Sequence, residues 1–196
     1  YTRLFALFSL LSLCKVKIYS IHHHFNFEGE GGFRQFIHKT LELFFLRVST
    51  ATIIPSPYVK DRFATLLPKS KLIYVPLGVK KANNKEIRAK KTSEVLNLLY
   101  VGTIEKRKGL LYLVESLKLL SNKTKTFKCH IVGKVVEEDY KAEIDKKIVE
   151  YQLADDVIFY GRLSNQDLDA IYSNSDIFVF PSMLEGYGMV LLEAMS

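Results

Sequence analysis

The 196-residue sequence contains two cysteines, Cys14 and Cys129, each inside an apolar run. They offer neither a disulfide framework nor a metal-ligand spacing, so a reducing compartment is the expectation. No apolar run approaches the ~20 residues that span a bilayer. The stretch from Arg3 to Cys14 has the look of a signal-peptide core. It is read instead as a buried helix, because a strand pattern follows directly. The spacing GxxxxGK[ST] is absent, which excludes a Walker loop, and GxGxxG is absent, which excludes the usual dinucleotide fingerprint. No cluster of metal-ligating residues stands out. His22, His23 and His24 are consecutive, and neighbours on a strand point to opposite faces, so they do not converge on one ion. No methionine stands at position 1, and the sequence stops just inside an apparent helix. A fragment lacking material at both ends, inactive by itself, is expected.

Charge is present in plenty but unevenly placed. Residues 60–128 hold 17 Lys and Arg against 5 Asp and Glu, a local charge of +12 beside −5 for the rest of the chain. Such a surface suits phosphorylated small molecules, anionic lipid headgroups or nucleic acid. The Lys80–Lys91 run has no interleaved aromatics to stack on bases, so nucleic acid is not an expected partner. Hydrophobic residues make up 48%, enough for a packed core.

Strand and helix patterns alternate along the chain. Strands are expected at Val16–Ile21, Ala51–Ser56 and Lys71–Gly78, with helices over Phe33–Ser49 and Val59–Leu67. The lysine- and asparagine-rich stretch from Val79 to Ser93 has no apolar period and reads as a boundary. A second series follows, with strands at Val95–Gly102, Phe127–Gly133, Val157–Gly161 and Asp176–Ser182. Helices over Leu110–Leu120, Glu137–Tyr151 and Asp167–Tyr172 separate them, the last opened by a capping box from Ser164 to Asp167. The fold class is therefore α/β, with parallel sheets covered on both faces. The domains are placed at residues 1–75 and 95–196, joined by a linker at 76–94.

Ligands of such sheets bind beyond the carboxyl ends of the strands, here near Gly102, Gly133, Gly161 and Ser182. Beyond the first strand of the second series, Lys106, Arg107 and Lys108 precede a helix starting at Gly109. Free N–H groups at a helix start, together with full positive charges, suit a diphosphate. Beyond the fourth strand, Glu185 lies in a turn with Gly186, Tyr187 and Gly188, and Glu193 falls among the apolar residues of the next helix. A carboxylate in apolar company costs free energy unless it is paired, and two adjacent ribose hydroxyls would satisfy it.

The segments LLYVGTIEKRKG, CHIVGK, VIFYGRLSNQDLDAIYSNSDIFVFPS and EGYGMVLLEAM, with VPLGV ahead of them, resemble the retaining glycosyltransferases of family 4, the group 1 enzymes. The resemblance covers Tyr74 to Ser196, and more weakly residues 1–73 through IYSIHHHF and IIPSPYVKDRF. It implies a GT-B fold of two Rossmann-like domains, and transfer of a sugar from a nucleotide-diphosphate donor with retention at the anomeric carbon. By motif it implies that Glu193 contacts the donor ribose and Glu185 the transferred sugar, with Gly186, Tyr187 and Gly188 nearby. Lys108 would neutralise the leaving diphosphate, Arg162 and Leu163 would line the base, and His22 would face the reacting sugar. Gly102, Thr103, Arg107 and Gly133 complete the expected donor site. Thr103 departs from the arginine usual there, and Arg107 is the residue expected to reach the same phosphate. No metal or other cofactor is expected. A glycan or lipid-linked saccharide is the expected acceptor, and the location is cytoplasmic with peripheral contact at an anionic inner membrane face. A catalytically inactive nucleotide- or sugar-binding protein of the same fold is the alternative.

Overall fold

β-branched and aromatic residues between helical stretches produce two parallel sheets in the computed structural model, which describes residues 17–21, 33–79, 95–123, 126–185 and 187–196. The expected helix over Arg3–Cys14, His22 and its two neighbouring histidines, and most of the lysine-rich boundary lie outside the described residues. The chain forms two compact units, Tyr1–Gly78 with Glu185–Tyr187, and Val79–Leu184 with Gly188–Ser196.

In the first unit, β1 (Tyr19–Ile21), β2 (Ala51–Ile54) and β3 (Leu72–Tyr74) lie side by side in chain order, all parallel. Helices α1 (Phe33–Val48) and α2 (Pro57–Ala64) make the crossovers. Leu46, Ile54, Val59, Phe63, Leu67 and Leu72 form the core. A buried Ser20–Thr52 hydroxyl pair at 3.0 Å ties β1 to β2. The Lys71 ammonium caps the end of α1 through the carbonyls of Arg47 and Ser49 at 2.7 and 3.0 Å, where the helix dipole favours a cation. The expected helix at Val59 starts two residues earlier, because Pro57 supplies a fixed φ at the first helical position without needing its missing N–H.

The second unit contains β4 (Leu96–Val101), α3 (Leu110–Ser121), β5 (Phe127–Val132), α4 (Glu138–Glu150), β6 (Val157–Gly161), α5 (Asn165–Asn174), β7 (Ile177–Phe178) and α6 (Met189–Met195). The strands run parallel in the order β6-β5-β4-β7, so the winding reverses between β4 and β7. Alternate residues of each strand serve opposite faces. Leu98, Tyr100, Phe127, Cys129 and Ile131 pack with Leu113, Leu117, Tyr140 and Ile144 from α3 and α4. Leu99, Val101 and Val132 pack on the other face with Leu168, Ile171 and Tyr172 of α5 and Val190 of α6. Both faces are thus covered, as the uniformly apolar strands require. Burial of this kind is worth about 1.5–3 kcal/mol for each large side chain. It also pushes the Cys129 thiol up to about 12.

The sequence expectation for the last strand needs correction. Asp176–Ser182 yields a strand of only two residues, since β7 pairs with β4 at Leu98 and Leu99 and the chain then leaves toward Pro181, which has no N–H for a ladder. Helix α5 begins at Asn165, earlier than expected, because Ser164 is the cap itself: its Oγ accepts from Asp167 N at 3.2 Å and donates to the Asp167 carboxylate at 2.7 Å.

Candidate functional site

The reversal between β4 and β7 is where an open parallel sheet leaves a crevice beyond its strand ends, because connections depart to opposite faces. The segment after β4, residues 102–109, runs between the segments that follow β5 and β7. On the β5 side, Gly102 N donates to Val132 O at 2.9 Å and Ile104 N to Lys134 O at 2.9 Å. Glu137 caps the next turn by accepting from Lys106 N at 3.0 Å. Gly133 owes its identity to this contact: a side chain there would lie 1.9 Å from the Gly102 carbonyl oxygen. A strand-end glycine therefore admits neighbouring backbone here.

The β7 side is bound as closely. Met183 N donates to Arg107 O at 2.9 Å, and Arg107 Nη1 donates to Leu184 O at 3.2 Å. Ser182 Oγ donates to Leu184 O at 3.2 Å. Gly109 has φ +69°, and a side chain on it would meet Pro181 O at 2.2 Å, so backbone geometry and lack of space both demand glycine.

Lys106–Lys108, expected only to precede the helix, make one 3-10 turn, closed by Lys108 N to Glu105 O and Gly109 N to Lys106 O, both 3.0 Å. The turn presents three cations at the strand end. Lys108 Nζ lies 5.9 Å from the centre of the Phe180 ring, at the outer reach of a cation–π contact. Glu105 organises the other two polar groups. One carboxylate oxygen of Glu105 takes the Thr103 hydroxyl and, at 2.9 Å, Arg107 Nη2. The guanidinium of Arg107 is thereby fastened to Glu105 on one side and to the β7 segment on the other.

The expectation of free N–H groups at the start of the next helix is corrected. Helix α3 starts at Leu110, with Gly109 as its cap, and Leu111 N donates to the Tyr140 hydroxyl at 3.0 Å. Burial pushes that phenol up, so it remains protonated and serves as a neutral acceptor. One donor of the first turn is consumed inside the protein, which leaves the cationic side chains as the main source of positive potential.

Glu193 sits partly buried on α6, and its Oε2 accepts from the Tyr172 hydroxyl at 3.2 Å. The Tyr172 ring packs 5.8 Å from that of Phe178. Burial first, then the neighbouring carboxylate, push the Tyr172 phenol up, which keeps it a donor. Sequence reading asked what would satisfy a carboxylate in apolar company and missed this partner. Its signal was present: Tyr172 follows Leu168 and Ile171 at helical spacing, on the buried stripe of α5.

Among the residues singled out from sequence, Gly102, Thr103, Arg107, Lys108 and Gly133 come together beside the β4 end. Gly188 caps α6 with φ 74°. Leu163 packs on the Leu99–Val101–Val132 face, and Arg162 is exposed beside it. Glu185 and Tyr187 group with the first unit, where the Tyr187 hydroxyl donates to Leu77 O at 2.9 Å. Gly186 and His22 lie outside the described residues. Among the described residues, no group of three His, Cys, Asp or Glu side chains is placed to hold a metal ion, and no helix is long and apolar enough to cross a membrane.

The chain is similar to known proteins in sequence and in fold. The lipopolysaccharide 1,2-N-acetylglucosaminetransferase of Salmonella typhimurium is 29% identical over 156 residues, 74% of this chain and 41% of its own length. The capsular polysaccharide biosynthesis glycosyltransferase CapM of Staphylococcus aureus is 27% identical over 194 residues, 91% of this chain and 49% of its own. The chain thus spans less than half the length of these relatives. Among solved structures, Anabaena HepE in complex with UDP and glucose superposes with a TM-score of 0.81 at 16% identity, over 99% of this chain and 54% of that one. Sucrose-phosphate synthase from Thermosynechococcus elongatus does so with a TM-score of 0.77 at 22% identity, over 96% and 50%. These likenesses establish a GT-B-type α/β fold. The sequence pattern of the family described as glycosyl transferases group 1 matches residues 80–196, more than half the chain, and this protein belongs to that family.

Proposed function

We propose that the intact protein is a retaining glycosyltransferase that moves a hexosyl unit from a nucleotide-diphosphate sugar to an acceptor. The observation that carries this reading is the cationic 3-10 turn Lys106–Lys108, held at the β4–β7 reversal by its contacts with the β7 segment. A nucleoside diphosphate leaves with growing negative charge, and cations fixed in place before the reaction lower that barrier most. Lys108 is assigned to the leaving phosphates, with Arg107 beside it in the place of the arginine that Thr103 replaces. This assignment involves no metal. Glu193 Oε1 has no hydrogen-bond partner among the described residues and is assigned to the donor ribose. Arg162 and Leu163 line the base; Gly102, Gly133 and the Gly186–Gly188 backbone shape the donor site. Glu185 stabilises the oxocarbenium character that develops on the transferred sugar, and His22 faces that sugar.

The names of the relatives, a lipopolysaccharide transferase and a capsular polysaccharide enzyme, support a glycan or lipid-linked saccharide as acceptor. The net +12 charge of residues 60–128 supports peripheral contact with an anionic membrane on its cytoplasmic face. A nucleotide-binding protein without catalysis is the second reading, favoured by Thr103, whose hydroxyl is turned onto Glu105.

The test is transfer or donor hydrolysis by the intact protein across a panel of nucleotide sugars, with the anomer of the product read by NMR. Activity with retention, lowered at least a hundredfold in Lys108→Ala and Glu185→Gln, is expected, since removing one such stabilising group costs about 10²–10³ in rate. Full activity in both variants sinks the assigned roles. Nucleotide binding without turnover of any donor moves the protein to the second reading.

A further inference from the structure

The contact between Tyr172 and Glu193 joins the end of α5 to the middle of α6, and packing of the Tyr172 ring alone does not call for the hydroxyl that makes it. Tyr172 has one hydroxyl proton. Its oxygen lies 3.2 Å from Glu193 Oε2 and 3.5 Å from Val190 O, and the nearer, charged acceptor makes the stronger bond. The ring cannot easily swing away, because it is wedged against Phe178 and the Leu99–Val101–Val132 face. A glutamate on a helix otherwise has free torsions about its side chain. With Oε2 fastened from a rigid aromatic platform, the carboxylate plane is set and Oε1 is presented in one direction.

We propose that Tyr172 is a positioning residue for nucleotide recognition: its hydroxyl fixes Glu193 so that the remaining carboxylate oxygen meets a vicinal diol of the ligand's ribose. This rests on the reading of Glu193 as the ribose acceptor. The raised phenol supports it from a second side, since a hydroxyl held protonated by burial and by the neighbouring carboxylate remains a donor. Specificity for ribose over deoxyribose then comes from two helices, one supplying the acceptor and the other its orientation. Rejection of a ligand lacking a hydroxyl is large where the partner is left unpaired and held in place.

The experiment measures dissociation constants of UDP, GDP and their 2′- and 3′-deoxy forms by titration calorimetry. It uses the intact protein with and without Tyr172→Phe, Glu193→Gln and both together. In the unaltered protein the deoxy forms bind at least tenfold more weakly. Glu193→Gln abolishes that ratio. Tyr172→Phe, which keeps the ring contacts with Phe178, reduces the ratio to threefold or less, and adds nothing to Glu193→Gln. A merely structural tyrosine would lower the thermal midpoint and leave the ratio unchanged. If Tyr172→Phe keeps the full ratio while Glu193→Gln abolishes it, the positioning role is overturned and the ribose reading stands. If Glu193→Gln also keeps it, the ribose reading falls and takes this inference with it. A Tyr172→Phe protein that does not fold overturns the proposal too, since the hydroxyl is then part of the scaffold.

Discussion

The carbonyl oxygen of Pro181 occupies the space that a side chain on Gly109 would need, 2.2 Å from where its Cβ would stand. One contact thus presses the segment after β7 against the end of the cationic turn after β4. Gly109→Ala meets both this clash and a left-handed φ, which alone costs about 1–2 kcal/mol for a residue with a side chain. The backbone must shift as well, so a loss above ~2 kcal/mol is expected, read as a lower urea midpoint with an unchanged slope. A change of a few tenths would show that the two segments are not packed as described.

The Ser164 cap gives a smaller, cleaner number. Its Oγ both receives Asp167 N–H and donates to the Asp167 carboxylate, so Ser164→Ala removes two bonds at the start of α5. A loss of about 1 kcal/mol is expected by chemical denaturation. Ser164→Asp, which can still accept from the backbone, should recover part of it.

Acid should weaken the second unit through His130. Its Nδ1 lies 2.9 Å from the Tyr160 hydroxyl and its Nε2 3.2 Å from Asn97 Oδ1, with Asn97 in turn bonded to Asp176. Asn97 Oδ1 only accepts, so Nε2 carries the proton and Nδ1 accepts from Tyr160. Burial first, then Lys128, hold the His130 pKa below the ordinary 6.5. Between the folded value and 6.5 the unfolded chain binds the extra proton, so this group's contribution is complete above 6.5 and falls as pH drops through that window. Urea midpoints at pH 7.5 and 5.5 should separate more in the unaltered protein than in His130→Gln. Equal separations would contradict the assignment.

Much of this was legible in the sequence, for reasons particular residues make clear. Val157–Gly161 is apolar, β-branched and closed by glycine, and the strand has those bounds. Phe33–Val48 keeps a helical period for its whole length. The strand from Asp176 was overdrawn, since an apolar run states burial but not whether a neighbour has N–H and C=O groups to pair with. The cationic turn was placed correctly in the chain yet missed as a 3-10 turn, because its shape depends on Glu137, Met183 and Pro181, which are distant in sequence. Tyr140 and Tyr172 escaped notice for the same reason. Each looks like an ordinary core aromatic until its hydroxyl is seen to serve an atom on another element, Leu111 N in one case and Glu193 Oε2 in the other.

The central claim is that the β4–β7 reversal receives the phosphates of a nucleotide, with Lys108 as their partner. The most direct measurement is titration calorimetry of UDP and GDP into the intact protein and into Lys108→Ala, at two salt concentrations. Binding by at least one nucleotide, weakened tenfold or more in Lys108→Ala and accompanied by a shallower salt dependence, is the expected result. Equal affinity and equal salt dependence in the two proteins would contradict it.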